Sequence, residues 1–197
     1  MESNNNLLSY KYAQDPHKYW FVLRATYNRQ KMAYDYIVNK GEVAYMPLHY
    51  VQKVVDGKRK RVLKPYLSQL LFVYASADRI NEFVEETPAL SFLTYYYNHF
   101  KKNESGKNPP LTISYRSMMN FIRVTSIDNK HIKVVSPEQC HYKNGDMVRV
   151  VEGDFVGVEG RVARVSGQQR VVVEIEGLCL VSTAYIPSAF IEKVVSE

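Results

Sequence analysis

The chain has 197 residues, 46% of them hydrophobic and 23% charged, with a formal net charge of +6. That length and composition suit one or two globular domains and exclude a largely disordered chain, and no apolar run approaches the ~20 residues a membrane-spanning helix needs. Cys140 and Cys179 stand alone, which excludes a disulfide framework or a cysteine metal cage; with no apolar signal core after Met1, a soluble cytoplasmic protein without membrane partner, metal or cofactor is expected.

Residues 1–17 are polar and Asn-rich and read as a flexible lead-in. Trp20–Leu23 is a short apolar run that suits a buried strand, and Asn28 is a candidate N-cap for a helix carrying Ala33, Tyr34, Ile37 and Val38. Gly41 closes that helix. Ala44–Val55 reads as one strand with Pro47 at an edge or entry position. Asp56-Gly57 marks a two-residue hairpin turn, with Arg61–Leu63 returning. Tyr66–Ala75 reads as an apolar strand, Arg79–Glu86 as a helix, Ala89–Tyr97 as a strand, Lys101–Pro110 as a loop and Ser114–Thr125 as a helix capped by Ser114. This order predicts an α+β sandwich, an antiparallel sheet flanked by helices, over residues 18–125. Residues 126–144 read as a linker, with a short strand possible at His131–Val135.

From residue 145 the texture changes. Five short Val-rich runs, Met147–Val151, Gly160–Val165, Arg170–Glu174, Leu178–Thr183 and Phe190–Val194, are punctuated by Gly153, Gly157, Gly167 and Gly177. Such spacing predicts a small closed β-barrel over 145–197. Charge divides along the same line. Residues 1–144 carry 21 basic and 12 acidic groups (+9), whereas residues 145–197 carry five and eight (−3). The front therefore suits a polyanionic partner and the back does not.

Catalysis is not expected. The five histidines are scattered without metal-ligand spacing, Cys140-His141 are adjacent and diverge, and no phosphate-binding loop is present.

The stretch from Gly145-Asp146 through Gly153, Gly157 and Gly160 to Val162 is similar to a KOW motif. Trp20–Arg24, the following helix, Met46-Pro47-Leu48, Lys58–Arg61 and the Lys64–Val73 strand resemble the NGN domain of NusG-type transcription factors, and most nearly the specialised RfaH-like and UpxY-type antiterminators of polysaccharide operons. Leu67-Ser68-Gln69-Leu70 departs from the usual Phe-Pro-Gly/Asn-Tyr, and Tyr95–Pro110 is longer than the family pattern. The resemblance implies an NGN sandwich followed by an SH3-like KOW barrel. It also implies a non-enzymatic factor that binds the clamp helices of RNA polymerase and suppresses pausing and termination. A general elongation or pausing factor and a ribosome-associated RNA-binding KOW protein are the alternatives.

By position, Trp20, Val22, Tyr45, Tyr66, Leu67, Leu70 and Phe92 are candidates for the polymerase surface or, because strands alternate, for the core. Tyr27, Asn28, Arg29 and Lys31 are placed by the resemblance against the non-template DNA strand; ordinary capping by Asn28 is the competing reading. Lys58, Arg59, Lys60 and Arg61 lie in a hairpin with six cations and one acid between Lys53 and Lys64. They suit phosphates or an acidic protein, or else guard a strand edge. Phe155 either anchors a barrel partner, a small-subunit ribosomal protein or a termination factor by family analogy, or caps the core.

Overall fold

The computed structural model describes residues 12–55 and 57–194. They form two compact units, one of residues 12–46 with Leu67–Tyr115 and the other of the described residues of Pro47–Tyr66 with 116–194.

In the first unit, β1 (Tyr19–Ala25) is the central strand of an antiparallel sheet ordered β2–β5–β1–β6, where β2 is Val43–Tyr45, β5 is Leu70–Ala75 and β6 is Leu93–Tyr95. A short β7 (Thr112–Ile113) also pairs with β1. Alternation sends Phe21, Leu23 and Ala25 to one face, where Leu71, Val73 and Ala75 of β5 join them. Helix α1 (Gln30–Asn39) packs Ala33 and Ile37 onto this cluster, and α2 (Ala77–Asn81), extended by a π-helical turn, adds Ile80 and Phe83. All six residues of β5 are buried, so its continuous apolar run reflects a strand covered on both faces.

Several boundaries differ from the sequence reading. The strand expected over 44–55 breaks after Tyr45, and its second part belongs to another sheet. Pro47 stands at the break, having no N–H to continue a ladder. The strand expected from Tyr66 begins at Leu70, after a turn in which Gln69 has φ +65°. The strand expected over 89–97 shrinks to β6, after a 3₁₀ turn at Pro88–Leu90. The long 98–110 loop is closed by Asn98, whose N–H donates to the Pro109 carbonyl (2.8 Å) and whose Oδ1 accepts from the N–H groups of Phe100 and Lys101.

The second unit contains the hairpin of β3 (Leu48–Val55) and β4 (Lys58–Pro65) and helix α3 (Tyr115–Thr125) from Arg116 onward. It also holds a six-stranded antiparallel sheet ordered β13–β9–β10–β11–β12–β8. These strands are β8 Lys133–Val135, β9 His141–Val150, β10 Glu159–Val165, β11 Gln168–Ile175, β12 Cys179–Ser182 and β13 Ile191–Lys193. Val55 pairs with Lys58, so the hairpin turn has two residues; Gly57 takes φ +72°, and Asp56 lies outside the described residues. All five expected barrel strands form, and β8 from the expected linker joins them as a sixth. Among the described residues β13 and β8 are the two ends of this strand order. Gly160 is required by close approach: a Cβ there would lie 2.4 Å from the Val172 carbonyl oxygen.

This division departs from the expected boundary at residue 125. Asn120 Oδ1 of α3 accepts the Glu159 N–H of β10 (3.0 Å), and Arg61 of the hairpin pairs with Asp128, so both elements are tied to residues beyond that boundary.

Candidate binding surfaces

The clearest constellation lies where β1 ends. Ala25 N–H donates to Gln69 O (2.8 Å), Thr26 N–H to Phe92 O (3.1 Å), and Gln69 N–H to the side-chain oxygen of buried Gln30 (2.9 Å). The segments at Gln69 and Phe92 are thereby pinned beside residues 26–29. Within them Tyr27 and Asn28 both take φ +56°. Asparagine tolerates that left-handed region, whereas tyrosine is strained there by about 1–2 kcal/mol, a strain held only because the surroundings over-determine the turn. The consequence is an outward-facing ring: Tyr27 is 83% exposed.

Arg29 connects this ring to the fold. Its guanidinium lies 4.1 Å from the Phe92 ring centroid and 5.4 Å from that of Tyr27, a cation between two aromatics. Asn28 is not the helix cap. Arg29 occupies that position without a side-chain capping bond, and Asn28 stands exposed one residue earlier. Lys31 turns along α1 and pairs with Asp35 (2.7 Å) on the exposed surface. Tyr27 and Asn28 thus form an exposed edge beside the half-buried Arg29, with Lys31 next to it and already partnered. The role of Phe92 beneath Arg29 had no signal in sequence, because the two are joined only by tertiary packing.

The seven apolar candidates do not form one patch. Cross-strand pairing puts Trp20, Val22, Leu70 and Tyr45 on one sheet face, while Phe92 belongs to the opposite, helix-covered core. Trp20 and Val22 are fully buried, and Leu70 and Phe92 nearly so. The Trp20 indole stacks on Tyr74 (5.1 Å, 30°) and meets the edge of Tyr12. These four side chains therefore build the core, as strand alternation allows. Tyr45, Tyr66 and Leu67 are half-buried and keep surface; the Tyr66 ring packs on His49 at 4.3 Å.

On the hairpin, Lys58, Arg59, Lys60 and Arg61 are all exposed. Arg61 stacks over Tyr50 (3.9 Å) and is bonded to both carboxylate oxygens of Asp128. Burial, and then the neighbouring Lys64, lower the pKa of His49, favouring the neutral ring.

At the barrel, Phe155 is buried at 6% exposure, so it caps the core; neighbouring Val156 is 41% exposed. Ile186 is also core, while Phe190 is half-buried. Glu159 was not anticipated. It is buried, yet accepts hydrogen bonds from Arg116 Nε (2.7 Å) and Arg149 Nε (2.9 Å). Burial alone would raise its pKa; the bonds from Arg149 and Arg116 outweigh that and hold it below the usual carboxylate value.

The thiols are not poised as nucleophiles, since burial pushes Cys179 up to about 12 and raises Cys140. Among the described residues no group of three His, Cys, Asp or Glu could hold a metal ion, and no helix is long and apolar enough to cross a membrane.

Compared with known proteins, no curated protein sequence matches the chain. The chain is similar to the solved structure of NusG from Thermotoga maritima, described for its domain interaction, with 16% identity and a TM-score of 0.45 over 90% of this chain and 98% of that one. The family model "Transcription termination factor nusG" matches residues 18–122. That match spans more than half of the 197 residues, and the chain belongs to the NusG family.

Proposed function

We propose that this chain is an operon-specific transcription elongation and antitermination factor that acts by binding RNA polymerase and catalyses no reaction. Family membership supports a role in transcription. The polymerase contact follows from the resemblance to NGN domains, which grip the clamp helices. Tyr45, Tyr66 and Leu67 are the members of the apolar set with surface to offer such a partner. The factor need only prefer the elongating enzyme over its paused form: each 1.4 kcal/mol of preference shifts their ratio tenfold.

The observation that carries the specialist reading is the Tyr27–Arg29–Phe92 arrangement. An exposed ring beside a fixed cation suits an unpaired base with its phosphate, and the neighbouring Asn28 amide can read a base edge. A factor recruited by the non-template strand of a particular leader needs such a feature, whereas a general factor does not. The RfaH-like and UpxY-type antiterminators of polysaccharide operons are the corresponding relatives by resemblance. At the barrel, Val156 rather than Phe155 offers apolar surface to a ribosomal protein or termination factor.

The test is transcription through a terminator on templates with and without the native leader. Read-through that rises only with the leader is expected. An equal rise on both templates would assign a general elongation role, and failure to retain purified RNA polymerase would overturn the reading.

A further inference from the structure

The hairpin register separates its charges by type. Directly opposed residues share a face of a two-stranded ribbon. Val55 opposes Lys58, Lys53 opposes Lys60 and His49 opposes Lys64, whereas Tyr50 opposes Leu63 and Gln52 opposes Arg61. Lys53, Lys58, Lys60 and Lys64 therefore occupy one face, and Arg59 and Arg61 the other. The four lysines are exposed, and among the described residues none has an ion-pair partner. Lys53 and Lys60 stand directly opposite each other, a like-charge pairing that disfavours the hairpin unless something neutralises it.

On the other face Arg61 is paired to Asp128 and stacked on Tyr50, beside the exposed apolar side chains of Val54 and Leu63. The chemistry of the lysine face narrows what would cover it. Its one aromatic ring, His49, is packed against Tyr66, so no free ring is offered for base stacking. Lysine ammonium groups act as rotatable point charges that suit phosphate oxygens. The arginines, whose forks read guanine edges, point the other way. Lys58 and Lys60, two residues apart along an extended strand, are spaced by about 7 Å, so the cations form a strip and not a single-ion pocket.

We infer that the lysine face of the β3–β4 hairpin seats on the phosphate backbone of duplex DNA, without sequence preference. This rests on the nucleic-acid reading of the proposed function, and it names the face, the residues and the form of nucleic acid. Lys53 and Lys64 join the interface, and Arg59 and Arg61 leave it.

The test is binding of the full chain to a short labelled duplex of arbitrary sequence, by fluorescence anisotropy across a salt series and without polymerase. Changing Lys53, Lys58, Lys60 and Lys64 to Gln together should reduce the slope of log K against log salt by about 3–4, at roughly 0.9 per lost phosphate contact. A control with Lys40, Lys102, Lys107 and Lys130 changed to Gln has the same charge and should change the slope by less than about 1. Within the hairpin, K60Q should weaken binding more than R59Q, although the two residues are adjacent. All changed residues are exposed, and unchanged melting temperatures establish that the variants are folded. Equal slope changes in the two quadruple variants would overturn the inference. So would tighter binding to single strands than to duplex through the lysines, or no duplex binding at roughly 20 mM salt. Tyr27→Gly, run in parallel, should lose single-strand binding and keep duplex binding, so failure of the platform reading and failure of this one appear on different probes.

Discussion

Replacing Tyr27 with glycine should cost binding far more than stability. The residue sits at φ 56°, ψ 35° with its ring 83% exposed, so the ring adds little to the core while the backbone is strained. Glycine relieves about 1–2 kcal/mol of left-handed strain. It loses about 0.5–1 kcal/mol through the freer unfolded chain and about 0.5 kcal/mol of cation–π contact with Arg29. The net expectation lies between a loss of about 0.5 kcal/mol and a gain of about 1 kcal/mol in stability. In contrast, loss of one base–aromatic stack costs about 1–3 kcal/mol, or roughly 5- to 150-fold in affinity. Denaturant unfolding gives the first quantity, and anisotropy with a single-stranded oligonucleotide from the non-template strand gives the second. A Tyr27→Gly chain that is destabilised by more than about 1 kcal/mol, or that binds the oligonucleotide as wild type does, would refute the assignment of this ring to binding.

Two further outcomes concern the barrel. Glu159→Gln should destabilise by about 1–2 kcal/mol at neutral pH, toward the low end for charged hydrogen bonds because both arginine partners are largely exposed and regain hydration. Since the folded pKa of Glu159 is lowered, its stabilisation is complete above the unfolded value near 4.5 and disappears as pH falls through the folded one. Melting curves of the variant and wild type should therefore converge in acid, and a constant gap would contradict the pairing. Gly160→Ala should cost about 1–3 kcal/mol in denaturant unfolding, because the new methyl meets the Val172 carbonyl at 2.4 Å and Val171 Cγ1 at 2.8 Å; a loss below about 0.5 kcal/mol would mean that the strands part easily.

The two proposed nucleic-acid contacts differ in kind. The Tyr27 turn is flanked by hydrogen bonds to the Gln69 and Phe92 segments and presents one ring beside one cation. That is the preorganisation that recognition of a particular base requires. The lysine face offers mobile charges on a regular ladder, which suits a partner met in many registers.

Local chemistry along the chain was sufficient for much of this protein. The apolar run of β1, the hairpin turn with Gly57, the Gly41 helix end and the five Val-rich barrel strands were all legible, because alternation and positive φ are demands that a few neighbouring residues express by themselves. Tertiary structure alone decided which candidates keep a surface. Trp20 and Phe155 are apolar in sequence whether they line a patch or fill a core, and only packing buries them. Likewise Arg29 meets Phe92 and Arg116 meets Glu159 through contacts between distant segments. Cross-strand register and side-chain face arise from pairing, and no single stretch of chain contains its partner.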